Sequence, residues 1–292
     1  MYLIIRAAYA VFSRLPLRTL HTIGNITGGI MYHLLKGRRA VAEKNCEIIG
    51  IPSANIEKTV KSSFRQTFCS YLESFYVKNI DRKFLDENVD VVYMGERPDT
   101  NACFMVSAHF GAWELSPYIM TKKLGLKGAA VARKIKDPKV DKFILSQRVN
   151  SDVAYIHHRN ATDTIREYMD RGEAVGVLLD HSSMPKDSMT VPFFGLETTF
   201  IKGIPLLSVR RDYPILPAFI LRENGKYKLI TYPLIYPDKS LKPKERAYDI
   251  ALKINRLYEE MIRQYPDQWY LIHKRFKRVA DENGKLRKGI YS

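Results

Sequence analysis

The segment SAHFGAWELSPY, residues 107–118, places His109 five residues before Glu114. When a carboxylate holds one imidazole nitrogen by a hydrogen bond, the other nitrogen can take a proton from an alcohol and make its oxygen nucleophilic. The spacing alone is not specific, because a chain with 7 histidines and 31 acidic residues contains about one such pair by chance. A second pair with this spacing, His158 and Asp163, does occur, so the surrounding sequence must decide between them.

The residues around His109 favour the first pair. The apolar run ACFMVSA, residues 102–108, is typical of a buried strand, and Gly111 permits a sharp turn after it. Ligand sites in open α/β sheets lie at the carboxyl ends of the strands, which is where His109 would stand. We therefore predict that His109 and Glu114 are catalytic; the alternative is a strand-end histidine packed under Trp113.

The second pair, His158 and Asp163, also follows an apolar run and precedes a helical pattern. Asn160 and Thr162 are typical of helix caps, however, and no glycine eases a tight turn. We therefore interpret this pair as structural.

Two patterns of apolar residues along the chain indicate which helices and strands position these residues. Residues 1–85 are predicted to be helical, with apolar residues every three to four positions in residues 53–77. From residue 88, short apolar runs alternate with helical patterns, which is typical of an α/β fold. We expect a central, mostly buried mixed sheet flanked by helices over residues 86–292, with residues 1–85 as a helical extension of one catalytic domain. The predicted strands contain VDVVYM, ACFMVSAH, LKGAAVAR, DVAYIH, AVGVLLD, ILPAFILRE and KYKLITYPLIY, and the predicted helices span 112–125, 138–150, 161–172, 201–212 and 244–265.

The net charge of +16 predicts attraction to polyanions such as nucleic acid, an anionic membrane or an acidic protein. We expect no nucleic-acid partner, because the chain lacks finger spacings and aromatic RNA-binding signatures. The three cysteines are widely spaced, which predicts reduced cytosolic thiols and no structural zinc. We expect neither a metal nor a cofactor. Cys103 lies inside a predicted strand, and because burial raises the pKa of a thiol we do not expect it to be a nucleophile.

The segment YLIIRAAYAVFSRL, residues 2–15, predicts a basic amphipathic helix. Arg6, Arg14 and Arg18 interrupt any apolar run long enough to cross a bilayer, and no secretory cleavage site follows. We expect this helix to lie in the membrane interface, with docking on the protein's own core as the alternative.

Four blocks resemble, in content and order, the late acyltransferases of lipid A biosynthesis, which transfer lauroyl or myristoyl chains. The blocks are SAHFGAWEL, VARKIKDPKVDKFILSQR, GEAVGVLLDHS followed by VPFFGLETTFIKG, and YPDQWYLIHKRFK. The resemblance covers about residues 1–280 and implies a glycerolipid-acyltransferase-like fold at the cytoplasmic face of the bacterial inner membrane. It further implies transfer of an acyl chain from acyl carrier protein, or from coenzyme A, to a hydroxyl of a lipid A precursor.

The resemblance also assigns site residues. The motif histidine and acid fall on His109 and Glu114, and substrate-binding residues fall on Arg133, Arg148 and Asp180. The family usually has glutamine after the aspartate, where this chain has a histidine at position 181. An arginine at the same sheet edge as the histidine could bind a phosphate or stabilise negative charge on a thioester oxygen.

The remaining features of these blocks allow simpler interpretations. We interpret Trp269 as packing of the carboxyl-terminal helix. We interpret Phe193 and Phe194 as core and turn residues that could alternatively line an acyl-chain pocket. The basic run Lys274, Arg275, Lys277 and Arg278 is predicted to be either solvated or a docking surface for carrier protein or anionic lipid. Two alternatives to lipid A acylation stay open: a glycerophospholipid or glycolipid acyltransferase with the same residue pair, and a non-enzymatic basic protein that binds membranes or nucleic acid.

Overall fold

Helices form the amino-terminal part of the computed structural model, which describes residues 2–99, 102–148, 153–158 and 161–291. They are α1 (Tyr2–Phe12), α2 (Leu17–Leu34), α3 (Lys36–Ile48), α4 (Ser53–Glu73) and α5 (Arg82–Asn88). Helix α2 lies directly on α4, because Gly24 and Gly28 face the α4 backbone. A Cβ at Gly28 would stand 2.5 Å from the Cα of Arg65, so only glycine permits this approach.

A seven-stranded sheet forms the centre of the molecule. Its strands, in chain order, are β1 (Val89–Tyr93), β2 (Phe104–Ser107), β3 (Gly128–Ala132), β4 (Val153–His157), β5 (Ala174–Leu178), β8 (Ile215–Glu223) and β9 (Lys226–Thr231). Their spatial order is β1-β9-β8-β2-β5-β3-β4. The strands from β8 to β4 are parallel, and β9 turns back against β8 so that β9 and β1 run in the opposite direction.

A smaller antiparallel sheet has the order β11-β10-β7-β6. Its strands are β6 (Ser188–Phe193), β7 (Leu196–Ile201), β10 (Val279–Ala280) and β11 (Leu286–Arg287). The hairpin of β6 and β7 was not among the predicted strands. Its turn includes Phe194 and Gly195, both with positive φ.

Helices cover both faces of the large sheet. The later helices are α6 (Ser116–Leu124), α7 (Pro138–Arg148), α8 (Ala161–Asp170), α9 (Gly203–Arg211) and α10 (Pro243–Gln264). One apolar core includes residues of α4, α8, α9 and α10, whereas the core on the other side includes residues of α5 and α6. The predicted mixed α/β fold with a helical amino-terminal extension is therefore confirmed, while its division at residue 85 stays a prediction.

The first helix has the predicted amphipathic character in part. Tyr9 packs against Phe75 and Phe143, whereas Leu3 and Ile4 are more than 70% exposed. Among the described residues, no helix combines the length and apolar character needed to cross a membrane.

Candidate functional site

Strands β2 and β5 bring His109 and Asp180 together. The two strands are parallel neighbours with Ser107 opposite Leu178, so residues just beyond their carboxyl ends meet at one edge. The Nδ1 atom of His109 lies 2.7 Å from Oδ1 of Asp180, and the backbone N–H of His109 donates to Oδ2 at 3.1 Å. The indole Nε1–H of Trp269 also donates to Oδ2, at 3.1 Å.

Asp180 is an ionised, buried carboxylate. Burial alone would raise its pKa, but the positive charge that His109 carries when protonated, together with the hydrogen bonds of His109, holds the pKa well below its ordinary value. A carboxylate is only an acceptor, so it fixes the neutral His109 tautomer with the proton on Nδ1. The Nε2 atom then carries the free lone pair, and within the described part of the chain it makes no hydrogen bond.

The turn after His109 is held by backbone contacts. Gly111 has φ +52°, and a Cβ at this position would stand 1.9 Å from the carbonyl oxygen of Ile220. The N–H of Gly111 donates to the carbonyl of Gln268 at 2.8 Å, and the N–H of Tyr270 donates to the carbonyl of His109 at 3.0 Å. The predicted tight turn is therefore present, and a second chain segment, around residues 266–270, braces it.

Glu114 does not contact His109. Its Oε2 atom accepts from Nη2 of Arg148 at 2.6 Å, and the pair lies beside the hydroxyls of Tyr118 and Tyr155. The predicted hydrogen bond from His109 to Glu114 is thus absent: Glu114 lies in the turn before α6 and pairs with Arg148 at the end of α7, while Asp180 occupies Nδ1. The guanidinium of Arg148 is thus held by a carboxylate, and both side chains are largely buried. A catalytic role for Glu114 and a substrate-binding role for Arg148 stay predictions.

Arg133 follows β3 at the same edge of the sheet and is exposed. In the described part of the chain it forms no ion pair. Burial is the main cause that lowers the pKa of His181, and the positive charge of Arg133 adds to it, which agrees with a position near this edge.

Three imidazoles lie in a row beside Asp180. The ring centroid of His181 is 4.2 Å from that of His109 and 4.9 Å from that of His273. Burial, followed by neighbouring charges, lowers the pKa of His181 to about 4 and that of His273 to about 3. Both are therefore neutral at pH 7. Reasoning from the sequence did not name His273, and no local pattern distinguishes it.

Atoms suited to metal binding on His109, Asp180 and His181 lie within 4.8 Å of one another. Both Asp180 oxygens, however, already accept hydrogen bonds from His109 or Trp269. The contacts of Asp180 are satisfied within the chain, and the expectation of a metal-free, cofactor-free enzyme stays a prediction.

The carboxyl-terminal block differs from two predictions. Trp269 is buried as predicted, but it also donates to Asp180 and so belongs to the site. Arg275 and Arg278 are buried, with Arg275 donating to the carbonyl of Thr199 at 3.0 Å. The basic run is therefore not a uniformly solvated surface. The guanidinium of Arg275 braces β7 of the hairpin and that of Arg278 contacts the segment 182–184 before it, roles that a charge pattern does not reveal.

The competing pair does not form a site. His158 is exposed, and Asp163 accepts from Arg166 on its own helix at 2.8 Å. The predicted cap Asn160 lies outside the described residues. Cys103 is buried and its pKa is raised to about 12, which agrees with an inert thiol.

Phe193 lies in the core rather than at the surface. Its ring stacks on that of Phe276, with centroids 5.7 Å apart, under the guanidinium of Arg275. This arrangement agrees with the interpretation of Phe193 as a core residue.

Comparison with known proteins concerns the chain as a whole. Residues 1–278 match the family model described as bacterial lipid A biosynthesis acyltransferase. The chain is 24% identical over 275 residues to the lipid A biosynthesis lauroyltransferase of Escherichia coli K12, covering 90% of this chain and 87% of that protein. It is 25% identical, with the same coverage, to the palmitoleoyltransferase of that organism and to the lipid A biosynthesis acyltransferase of Shigella flexneri. Because the family model spans nearly the whole chain, the protein is an acyltransferase of the bacterial lipid A biosynthesis family.

Proposed function

We propose that this enzyme transfers a fatty acyl chain from a thioester of acyl carrier protein or coenzyme A to a hydroxyl of a lipid A precursor. The observation that carries the proposal is the His109–Asp180 pair at the carboxyl edge of the sheet. Because Asp180 occupies Nδ1, the free Nε2 of a partly exposed imidazole is available to an alcohol. The names of the similar proteins supply the lipid A precursor as acceptor.

In the proposed reaction, Nε2 of His109 takes the proton of the acceptor hydroxyl as its oxygen attacks the thioester carbonyl. The C–O bond forms, the C–S bond breaks, and the thiolate takes the proton back from His109. Asp180 stays ionised throughout and stabilises the imidazolium that forms transiently. No covalent bond to the enzyme is needed.

Two arginines are proposed to bind negatively charged groups of the substrates. Arg133 is exposed at the edge that carries His109, so its planar guanidinium can hold a phosphate or the developing oxyanion by paired hydrogen bonds. Arg148 is held by Glu114, and we propose that this pair shapes the neighbouring side of the substrate site.

We further propose that the enzyme works on the cytoplasmic face of the inner membrane, docked through its helical amino-terminal region. Six basic residues and no acidic residue precede Glu43 in the sequence. Leu3, Ile4 and Val11 on α1 are exposed. On α2, an exposed apolar stripe of Ile26, Ile30 and Leu34 borders a groove that also contains Lys61 and Arg65. Apolar surface combined with positive charge suits an anionic membrane interface.

The test of the function is acyl transfer by the purified enzyme from acyl carrier protein or coenzyme A thioesters to a lipid A precursor, followed by mass spectrometry. Replacing His109 with alanine should lower kcat/KM by about 10²- to 10⁴-fold with folding preserved, because the proton acceptor is lost. His158→Ala is the matched control, since its side chain is exposed and remote from Asp180. Normal turnover in His109→Ala would exclude this mechanism.

Arg133→Lys tests the arginine at the edge. Lysine keeps the charge but loses the fork of donors, so we expect about a tenfold loss in kcat/KM, near 1.4 kcal/mol, with an unchanged melting temperature. Near-normal kinetics would return Arg133 to a structural role.

A further inference from the structure

We propose that Glu73, Arg222 and Ser70, called here the Glu73 cluster, are positioning residues that set the place of His109 for catalysis. The inference rests on the proposed function. None of the three contacts the reacting groups. They act through the turn at Gly111, which lies at the boundary between the helical amino-terminal region and the large sheet.

Glu73 is a fully buried carboxylate, and both of its oxygens accept hydrogen bonds. Its Oε1 accepts from the hydroxyl of Tyr227 and from Nε of Arg222, each at 2.7 Å, and lies 2.8 Å from Nε2 of His21. Its Oε2 accepts from Nη2 of Arg222 at 2.5 Å. The two-pronged contact fixes the guanidinium of Arg222 in one plane and one orientation.

The fixed guanidinium reaches the turn through Ser70. Nη2 of Arg222 donates to Oγ of Ser70 at 2.5 Å, and this hydroxyl donates to the carbonyl of Gly111 at 2.6 Å. The Ser70 hydroxyl has a second acceptor within reach, the carbonyl of Gln66 at 3.1 Å. We infer that the donation from Arg222 holds the hydroxyl in the rotamer that serves Gly111.

The backbone of Arg222 holds the other side of the same turn. Its N–H donates to Oε1 of Gln268, and its carbonyl accepts from Nε2 of Gln268, both at 2.9 Å. The carbonyl of Gln268 in turn accepts from the N–H of Gly111. Both polar groups of the Gly111 residue therefore depend on elements that Arg222 fixes.

The consequence for His109 follows from the short chain distance. Gly111 is two residues after His109, and its backbone has no free space beside Ile220 into which the turn could relax. Trp269, which shares Oδ2 of Asp180 with His109, follows Gln268 directly. Displacing this unit would move the imidazole relative to Asp180 and substrate, and misplacement by about 1 Å can cost about 100-fold in rate.

The direct test compares Ser70→Ala with Ser208→Ala. Both serines are buried and donate to a backbone carbonyl at 2.6 Å, but Ser208 bonds to Tyr213, away from the site. We expect Ser70→Ala to lower kcat by about 10- to 100-fold with KM changed less than about twofold. Ser208→Ala should keep the wild-type kcat, although its melting temperature should fall as much as that of Ser70→Ala.

A spectroscopic readout separates positioning from general destabilisation. In proton–nitrogen NMR spectra, the indole N–H of Trp269 reports its hydrogen bond to Asp180, and a Trp113→Phe variant serves only to assign the two indoles. Ser70→Ala should shift the Trp269 signal, and Ser208→Ala should not. An unchanged kcat or an unmoved signal in Ser70→Ala would overturn the inference, as would equal losses of kcat in both variants. Failure of the proposed function would instead show as normal turnover in His109→Ala.

Discussion

Two buried carboxylates, Asp180 and Glu73, lie in different regions of the molecule, and both stay ionised although they are buried. Asp180 lies at the carboxyl edge of the sheet, and Glu73 lies where α4 meets that sheet. Burial alone would raise the pKa of each, yet cationic partners and hydrogen bonds lower both pKa values below their ordinary range. A shifted pKa therefore does not distinguish the catalytic region from the structural one.

The partner of each carboxylate makes the difference. Glu73 is held by Arg222, whose guanidinium stays charged and donates hydrogen bonds to Glu73, Ser70 and Gln66. Asp180 is held by an imidazole that keeps one nitrogen free. The first pair is closed and can only position its neighbours, whereas the second leaves one atom able to gain and lose a proton.

Asp180→Asn should have the largest effect on activity and tests whether Asp180 controls the tautomer of His109. An amide can donate to Nδ1, which would place the proton on Nε2 and leave no acceptor for the substrate hydroxyl. We expect kcat/KM to fall by about 10³- to 10⁴-fold. The free energy of unfolding should change less, because the asparagine can still form a hydrogen bond with a neutral His109. Steady-state kinetics and urea unfolding check this together. Wild-type kinetics in this variant would show that Asp180 does not control the tautomer.

Glu73→Gln should destabilise the fold more than Asp180→Asn does. It leaves the buried charge of Arg222 without a counterion, so we expect the free energy of unfolding to fall by about 3 kcal/mol. Urea unfolding measures the loss. The double variant Glu73→Met with Arg222→Met removes both charges and should recover part of the stability. If Glu73→Gln is as stable as the wild type, the charge of Glu73 is not needed to balance the buried charge of Arg222.

His181→Gln tests the Asp180 region through its pH dependence. The folded-state pKa of His181, about 4, lies below its unfolded value of about 6.5, so the unfolded state binds more protons between these values. Stability should therefore fall as the pH falls from about 6.5 to 4. Removing the imidazole should reduce that fall by on the order of 2 kcal/mol in chemical unfolding measured across this range. A His33→Gln variant on the exposed face of α2 is the control, and an identical pH profile in both variants would contradict the prediction.

Periodicity predicted the α/β fold and most elements because each strand and helix carries its apolar pattern locally. The sequence also contained both His109 and Asp180, but it could not pair them. Their contact depends on β2 and β5 being neighbours, and strand order is a property of the whole sheet. Glu114 is close in sequence and was the natural choice, yet the turn directs it to Arg148.

Glu73, Arg222 and Arg275 show a second limit. Charged residues in a helix, a strand or a basic run resemble solvated positions unless their distant partners are known. Glu73 and Arg222 are 149 residues apart, so no local spacing connects them. The hairpin of β6 and β7 was missed for a different reason: its polar and apolar residues do not alternate cleanly, and Pro192 argues against a strand.

The distance between Glu73 and Arg222 also has a consequence for the order of assembly. When the ribosome has released only the helical amino-terminal region, α2 and α4 can approach at Gly24 and Gly28, but Glu73 then has His21 of α2 as a partner and still lacks its arginine. Because a carboxylate without its full set of partners is costly to bury, we expect Glu73 to become fully buried only after β8 has been synthesised. The final packing of the helical region is thus coupled to the synthesis of a strand of the sheet that lies far along the chain.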